Sequence, residues 1–544
     1  MKVMIVLAWT IAFGTSAFAT QTEEKAADQL FAAYEKAGSP GCSLGVIRDG
    51  AFIYSKGYGL ASLELGVPLS PASEFYMASV SKQFTAASIV LAAEQGFLSL
   101  DDDIHKYIPE LPDYGETITL REMLHHTSGF RDYLGLLELS GRNVLDVHTT
   151  AEFMDLIARQ KALNFSPGSE FLYSNTNYFL LAQVIKRATH KPLSVFAEEN
   201  IFRPLSMSHT RFYDDRNVVV AGRAPAYEPG SGGSYRVGWS TNFDGVGDGG
   251  LMSSVNDLLL WDGNFYDNKL GKGTLLKEML TRGTLNNGKQ IDYALGLQIG
   301  SYRGLPTVEH GGALFGYRTE MLRFPEQRFS VICLCNLGSA NVAGLSRGVA
   351  DVYLKTSAPP APAQPAKEPP EKTAGSEAHT LAGKYQNLKD HAAAQFSVVD
   401  NTLQVYGMNL KRVGHNRFAT PFGPTVSFEN VNGKMQVTAK NGDNVLFEGT
   451  RIDELHLDES ALKAYAGEYK SAELDATYKL TVENGRLTLR NGWNPPAKLE
   501  PLIADEFTMG QFGTAVFHRD ANDRISGLGV YSGRIRDLAF ERTQ

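Results

Sequence analysis

The sequence predicts an alpha/beta or alpha+beta domain, an antiparallel sheet combined with a helical region, followed by two small antiparallel beta-barrel units. Three observations predict it: strand-like stretches at both ends of a mostly helical block, a proline-rich break near residue 357, and a change after that break to short alternating strands. A chain of 544 residues exceeds one ordinary core, and its length alone suggests roughly three to four units. Apolar and charged fractions of 43% and 21% are those of a folded, water-soluble protein and exclude a largely fibrous or disordered chain. A net charge of -8 without a lysine or arginine run leaves no footprint for nucleic acid, so none is expected as a partner.

Residues 1–19 read as a cleavable signal peptide: Lys2 precedes an apolar stretch over 4–13, and Ala17-Phe18-Ala19 supplies a small-x-small cleavage site. The apolar run is shorter than the ~20 residues of a spanning helix, and no later segment is long and apolar enough for one. The mature protein is therefore expected to be periplasmic or secreted, with no integral membrane segment. Of the three cysteines, Cys333 and Cys335 alternate onto one face of a strand and Cys42 lies in another; buried thiols without a disulfide framework are expected.

The next elements follow from local pattern. Strands at 42–47 and 51–55 are joined by an Asp49-Gly50 hairpin signal, and a helical pattern covers 80–95. Strands return at 307–309, 318–324 and 329–334, and a last helix ends near Lys355. Residues 20–356 thus form one domain, and the proline-rich stretch 357–380, without apolar periodicity, is a linker. Beyond it the sequence repeats once: Ala382-Gly383-Lys384-Tyr385 matches Ala466-Gly467-Glu468-Tyr469, Phe428 matches Phe517, and Phe447-Glu448 matches Phe540-Glu541. With Asn484-Gly485 as a type I' turn signal, 381–452 and 453–544 read as two barrel units, or as one shared barrel made of both copies.

The chemistry concentrates in Ser79-Val80-Ser81-Lys82, at the opening of the helix over 80–95. This spacing puts Ser79 at the cap position and Lys82 one turn on, along the same face. A serine hydroxyl needs a base, and a buried lysine amine beside a helix N-terminus can be one. The bare pattern is weak, since Ser460-Ala461-Leu462-Lys463 repeats it in the beta-rich tail. Tyr173-Ser174-Asn175 and His310-Gly311-Gly312 follow in order; Tyr-x-Asn recurs at Tyr266 and Tyr385, but His-x-Gly occurs once. His125-His126 carry a structural reading, because adjacent histidines point apart and no ligand cluster accompanies them. Asp101-Asp102-Asp103 reads as a solvated turn.

In this order, SxxK, YxN and HxG resemble the serine beta-lactamase-like, penicillin-binding superfamily. Leu124-His125-His126-Thr127-Ser128-Gly129 and Gly249-Gly250-Leu251-Met252 support the likeness, which spans about 26–354. The resemblance implies a transpeptidase-like fold and a serine hydrolase: Ser79 attacks a carbonyl, Lys82 takes its proton, and an acyl-enzyme is hydrolysed. It further implies that Tyr173 relays the proton and that Asn175 orients lysine and substrate. Backbone N–H groups of Ser79 and Ala313 would form the oxyanion hole, Gly311 and Gly312 would admit the substrate, and His310 would hydrogen-bond Tyr173 or bind substrate. No metal or cofactor is implied.

Histidine in the third motif departs from the Lys-Thr-Gly of typical beta-lactamases. His-Gly-Gly with two barrels resembles bacterial D-aminopeptidases, in which a barrel loop reaches the active site, whereas a proline-rich tether would let the barrels move away. Lipocalin-like tails in related peptidases serve oligomerisation, so a homo-oligomer through the barrels is an alternative role. The reading is a peptidase or amidase on short D-residue peptides. The alternatives are a carboxylesterase or weak beta-lactamase and, from another class, a non-catalytic receptor for peptidoglycan fragments, against which intact Ser79, Lys82 and Tyr173 argue.

Overall fold

Apolar side chains on both faces of the stretch from Cys42 make a strand that can be stable only inside a sheet, and it lies there: in the computed structural model Cys42–Arg48 is buried along nearly its whole length. The structure describes residues 13–238, 242–354, 375–420, 424–441 and 444–543. Two compact units are present. One comprises Met1–Asp103, Thr119–His125 and Tyr178–Ala361; the other comprises Ile104–Ile118, His126–Asn177 and Pro362–Gln544.

The first unit is built on a six-stranded antiparallel sheet in the order Gln298–Tyr302, Leu305–Leu314, Tyr317–Phe324, Phe329–Cys335, Cys42–Arg48 and Ala51–Tyr58. The expected hairpin at Asp49-Gly50 joins the last two. On one face the helix Val342–Tyr353 buries Val342, Ser346, Val349, Ala350 and Tyr353, a stripe at helical spacing, and shares a core with Phe31, Val46, Phe324 and Val331. On the other face, Val255–Asp267 approaches so closely at Gly45 that an added methyl there would lie 2.5 Å from Val255 Cγ1. Lys82–Glu94 is buried from Lys82 to Ala92, and Trp261 packs against its Phe84 with ring centroids 4.5 Å apart and planes tilted by 35°.

Cys42 and Cys335 form a disulfide, and only Cys333 is a free thiol, which corrects the expectation of three thiols. The reason is register. Cys42–Arg48 pairs antiparallel with Phe329–Cys335, and Cys42 falls opposite Cys335.

In the second unit the two repeats form separate sheets. The first is a nine-stranded meander, Gly383–Gln386 through Asn444–Ile452, whose first and last strands pair. The second is a closed barrel of eight strands, Gly467–Ser471 through Ile535–Arg542. The repeat is visible at atomic level: Tyr385 Oη donates to Leu381 O and Tyr469 Oη to Tyr465 O, each at 2.8 Å and each four residues back.

Of the residues 1–19 expected as a signal peptide, 1–12 lie outside the described residues; Phe13–Phe31 is a helix. The expected linker, 357–380, likewise lies outside them up to residue 374, and Gly375–Leu381 is a helix with Ala378 and Leu381 buried. Among the described residues, no helix is long and apolar enough to cross a membrane.

Candidate active site

The chain leaves the strand Phe75–Tyr76, passes Ala78 in a left-handed conformation (φ +47°), and makes a short 3-10 turn, Ala78–Ser81, before the helix begins at Lys82. Ser79 therefore lies inside the turn and not at the helix cap, because the turn adds residues that sequence periodicity cannot separate from the helix. Lys82 Nζ lies 3.2 Å from Ser79 Oγ and donates to Asp248 O at 2.7 Å. Lys82 is fully buried while Ser79 is partly exposed, so the amine is held in the interior with a partly exposed hydroxyl beside it. The glycine-rich stretch before Leu251 wraps this turn: Gly250 N donates to Tyr76 Oη at 2.9 Å, Leu251 N to Ser81 Oγ at 3.1 Å, and Thr85 Oγ1 to Gly247 O at 2.7 Å.

His310, Gly311, Gly312 and Ala313 lie within the strand Leu305–Leu314. Gly312 faces the Ser79 turn. A methyl at Gly312 would lie 2.4 Å from Met77 O and 2.3 Å from Thr319 Oγ1, which itself donates to Met77 O at 2.9 Å. His310 is 2% exposed, and both its ring nitrogens are engaged. Nδ1 is 2.7 Å from Gly311 O, a pure acceptor, so Nδ1 carries the proton; Nε2 then accepts from Tyr293 Oη at 3.0 Å. Burial first, and the Lys82 charge second, lower the imidazole to about 3, so it is neutral at physiological pH.

Tyr173 and Asn175 belong to the second unit, where Asn175 opens the helix Asn175–Thr189. Asp132 Oδ2 accepts from Asn175 N at 2.7 Å and from Asn175 Nδ2 at 2.9 Å, while its Oδ1 caps the helix Tyr133–Leu139. His126 supports the preceding residues: its ring lies 4.2 Å from that of Tyr173, and its Nδ1 accepts from Ser174 N at 3.2 Å. The closed barrel contributes Arg534, whose guanidinium lies 4.7 Å over the Tyr173 ring and 3.4 Å from Asp132 Oδ2. His125, in the first unit, is buried with Nδ1 3.2 Å from Tyr293 O.

Sequence reasoning missed Asp248, Tyr293, Asp132 and Arg534. Asp132 had a signal, an acidic cap before an apolar helix. Asp248 acts through its carbonyl, and Tyr293 and Arg534 have no motif around them. The second SxxK match, Ser460 to Lys463, is a short exposed helix with only Leu462 buried. The grouping with metal-ligand chemistry among the described residues, Cys42, Cys333 and Cys335, has two of its three sulfurs in the disulfide.

The family model described as Beta-lactamase matches residues 27–353, more than half of the chain. A D-aminopeptidase of Brucella anthropi is 26% identical over 542 residues, covering 93% of this chain and 96% of the relative. The octameric penicillin-binding protein homologue from Pyrococcus abyssi superposes with a TM-score of 0.54 at 20% identity, over 88% of this chain and 99% of that one. A D-amino acid amidase from Ochrobactrum anthropi superposes with a TM-score of 0.51 at 21% identity, over 61% of this chain and 99% of that one. These two likenesses bear on the fold.

Proposed function

Since the chain belongs to the beta-lactamase family and is a serine hydrolase, we propose that it is an exported peptidase or amidase acting on short peptides that contain D-residues. The observation that carries the chemistry is the buried Lys82 amine 3.2 Å from the Ser79 hydroxyl. Ser79 attacks the scissile carbonyl as Lys82 accepts its proton; the N–H groups of Ser79 and Ala313 stabilise the oxyanion; Tyr173 returns the proton to the leaving amine; and water hydrolyses the acyl-serine. Asn175 orients the substrate and lysine. Gly312 lets the strand that carries Ala313 lie against the Ser79 turn, and Gly311 leaves room for the Glu320 carboxyl.

Three observations support the substrate class and location. The likeness to the D-aminopeptidase extends over 93% of the chain and so includes the barrels. His310 is buried and uncharged, so the third motif offers a substrate carboxylate no cation there, which favours peptides bound through other groups. Export rests on the leader-like residues 1–19 and agrees with the Cys42–Cys335 disulfide, a bond that persists in oxidising compartments.

The test is release of p-nitroaniline from D-alanine p-nitroanilide beside hydrolysis of p-nitrophenyl butyrate, with Ser79→Ala as the blank for each. Ser79-dependent release from the anilide is the expected result. Release from the ester alone would make the enzyme a carboxylesterase, and failure of a fluorophosphonate to label the folded protein at Ser79 would leave a non-catalytic receptor.

A further inference from the structure

Two motif elements of the first unit, the Ser79–Lys82 turn and the His310 strand, meet a third segment that no motif marks. The loop Tyr293-Ala294-Leu295-Gly296 precedes the strand Gln298–Tyr302. At one end of it Gly296 (φ +69°) packs on the helix start, where an added methyl would lie 2.6 Å from Lys82 O. At the other end Tyr293, 2% exposed, sends its hydroxyl to His310 Nε2 at 3.0 Å, with the two rings edge to face at 83°. The Tyr293 carbonyl is anchored in turn, accepting from Gly283 N at 3.0 Å and from His125 Nδ1 at 3.2 Å.

We infer that Tyr293 is a positioning residue for the hydrolytic reaction: its O–H donates to His310 Nε2 and so holds that imidazole in one orientation and one neutral tautomer at the start of the His310–Ala313 strand segment. The inference rests on the proposed roles of Ser79, Lys82 and Ala313. Gly311 O takes the Nδ1 proton, and Tyr293 closes the remaining nitrogen as an acceptor. A ring pinned at both nitrogens cannot swing, and the strand segment that carries the Ala313 N–H is held with it. Titratable groups near the ring include Lys82, Tyr293 and, across the strand pair beside Gly311, the buried Glu320 carboxyl; burial and the Lys82 charge disfavour a second proton on it. His310 thereby acts as a hydrogen-bonded strut and not as an acid or base.

The experiment is Tyr293→Phe, which keeps the buried ring and removes only the hydroxyl, assayed with histidine-selective nitrogen NMR on the full chain. His310→Gln assigns the His310 signals. In the wild type His310 is expected as the neutral Nδ1–H tautomer from pH 5 to 9; in Tyr293→Phe its Nε2 resonance moves to that of an unbonded imine nitrogen. Loss of one hydrogen bond of this kind lowers kcat by up to about tenfold, with KM changing less than about twofold. A wild-type His310 that titrates in this range, or that carries its proton on Nε2, overturns the inference. So does a Tyr293→Phe enzyme with the wild-type kcat. If Ser79→Ala retains activity, it is the underlying assignment of the nucleophile that fails.

Discussion

Lys82 has no exposure, yet its amine lies beside a hydroxyl that has some, and the Asp248 carbonyl fixes it there. Lys82→Met, close in volume, should therefore keep the fold and lower kcat by about 10³-fold or more, as loss of one member of a catalytic unit does; a variant with near-normal turnover would remove lysine from the mechanism. Two other buried residues set an acid limit to stability. Burial lowers His125 to about 4 and, with the Lys82 charge, His310 to about 3. Both bind fewer protons folded than unfolded, so stability is full above about pH 6.5 and falls as pH drops below it, by roughly 1.4 kcal/mol per pH unit for each histidine. Glu320 acts with the opposite sign. Burial first, and Glu309 second, push its carboxyl well above the usual range, so its contribution is full below about pH 4.5 and is lost as pH rises through the folded value. Urea midpoints should accordingly fall on both sides of a maximum near neutrality, and Glu320→Gln should flatten the alkaline side while steepening the acid side between about pH 4.5 and 6.5. A single-sided curve for the wild type would contradict the pairing.

Strand elements carry the information that periodicity alone lacks. The stretches at 42–47, 51–55, 318–324 and 329–334 are legible because alternation and a turn signal suffice to make a strand, and all four are in one sheet. Their order in that sheet is not local, so the Cys42–Cys335 bond was invisible: it needs the first strand to lie beside the last. The same limit explains the site. The Ser79–Lys82 spacing is a property of four residues and could be read, whereas Tyr293 and Asp248 reach the motifs through folds of the chain that no local pattern encodes. Reduction of the disulfide, or Cys42→Ser, should lower stability by about 2–4 kcal/mol, measured as a shift in denaturation midpoint under reducing conditions; an unchanged midpoint would argue against the bond. Gly312→Ala tests the contact between the third-motif strand and the serine turn. A methyl among Met77 O and Thr319 Oγ1 must displace the strand from the turn, and kcat should fall by on the order of 10²-fold, the cost of moving a reacting group by about 1 Å, with a loss of about 1–3 kcal/mol in stability from the overpacked contact.

At the scale of the whole molecule, the barrels are more than an appendage on a tether. The closed barrel and the segment His126–Asn177 share one unit, joined through Tyr478 Oη to Leu139 O at 2.9 Å, Trp493 N to Gly141 O at 2.7 Å, and the buried pair Arg131–Glu473 at 2.7 Å. Arg131 also donates to the carbonyls of Arg536 and Asp537. Arg131→Met should cost about 3–5 kcal/mol, because it strands Glu473 as a buried charge, and a loss under 1 kcal/mol by urea unfolding would show that this junction is not cooperative. The tail repeat was legible in sequence, but its attachment to the Tyr173 segment was not, since Arg131 and Glu473 are ordinary charges until the fold buries both. The strand order of the main sheet has a consequence for biogenesis. The amino-terminal strand waits for a partner 293 residues downstream, at Cys335 opposite Cys42, and until the ribosome has delivered it the inner edge of the early hairpin, like its outer one, has no neighbour. Closure of so long a loop is slow, so the amino-terminal strand stays unpaired on that side until Phe329–Cys335 has been made.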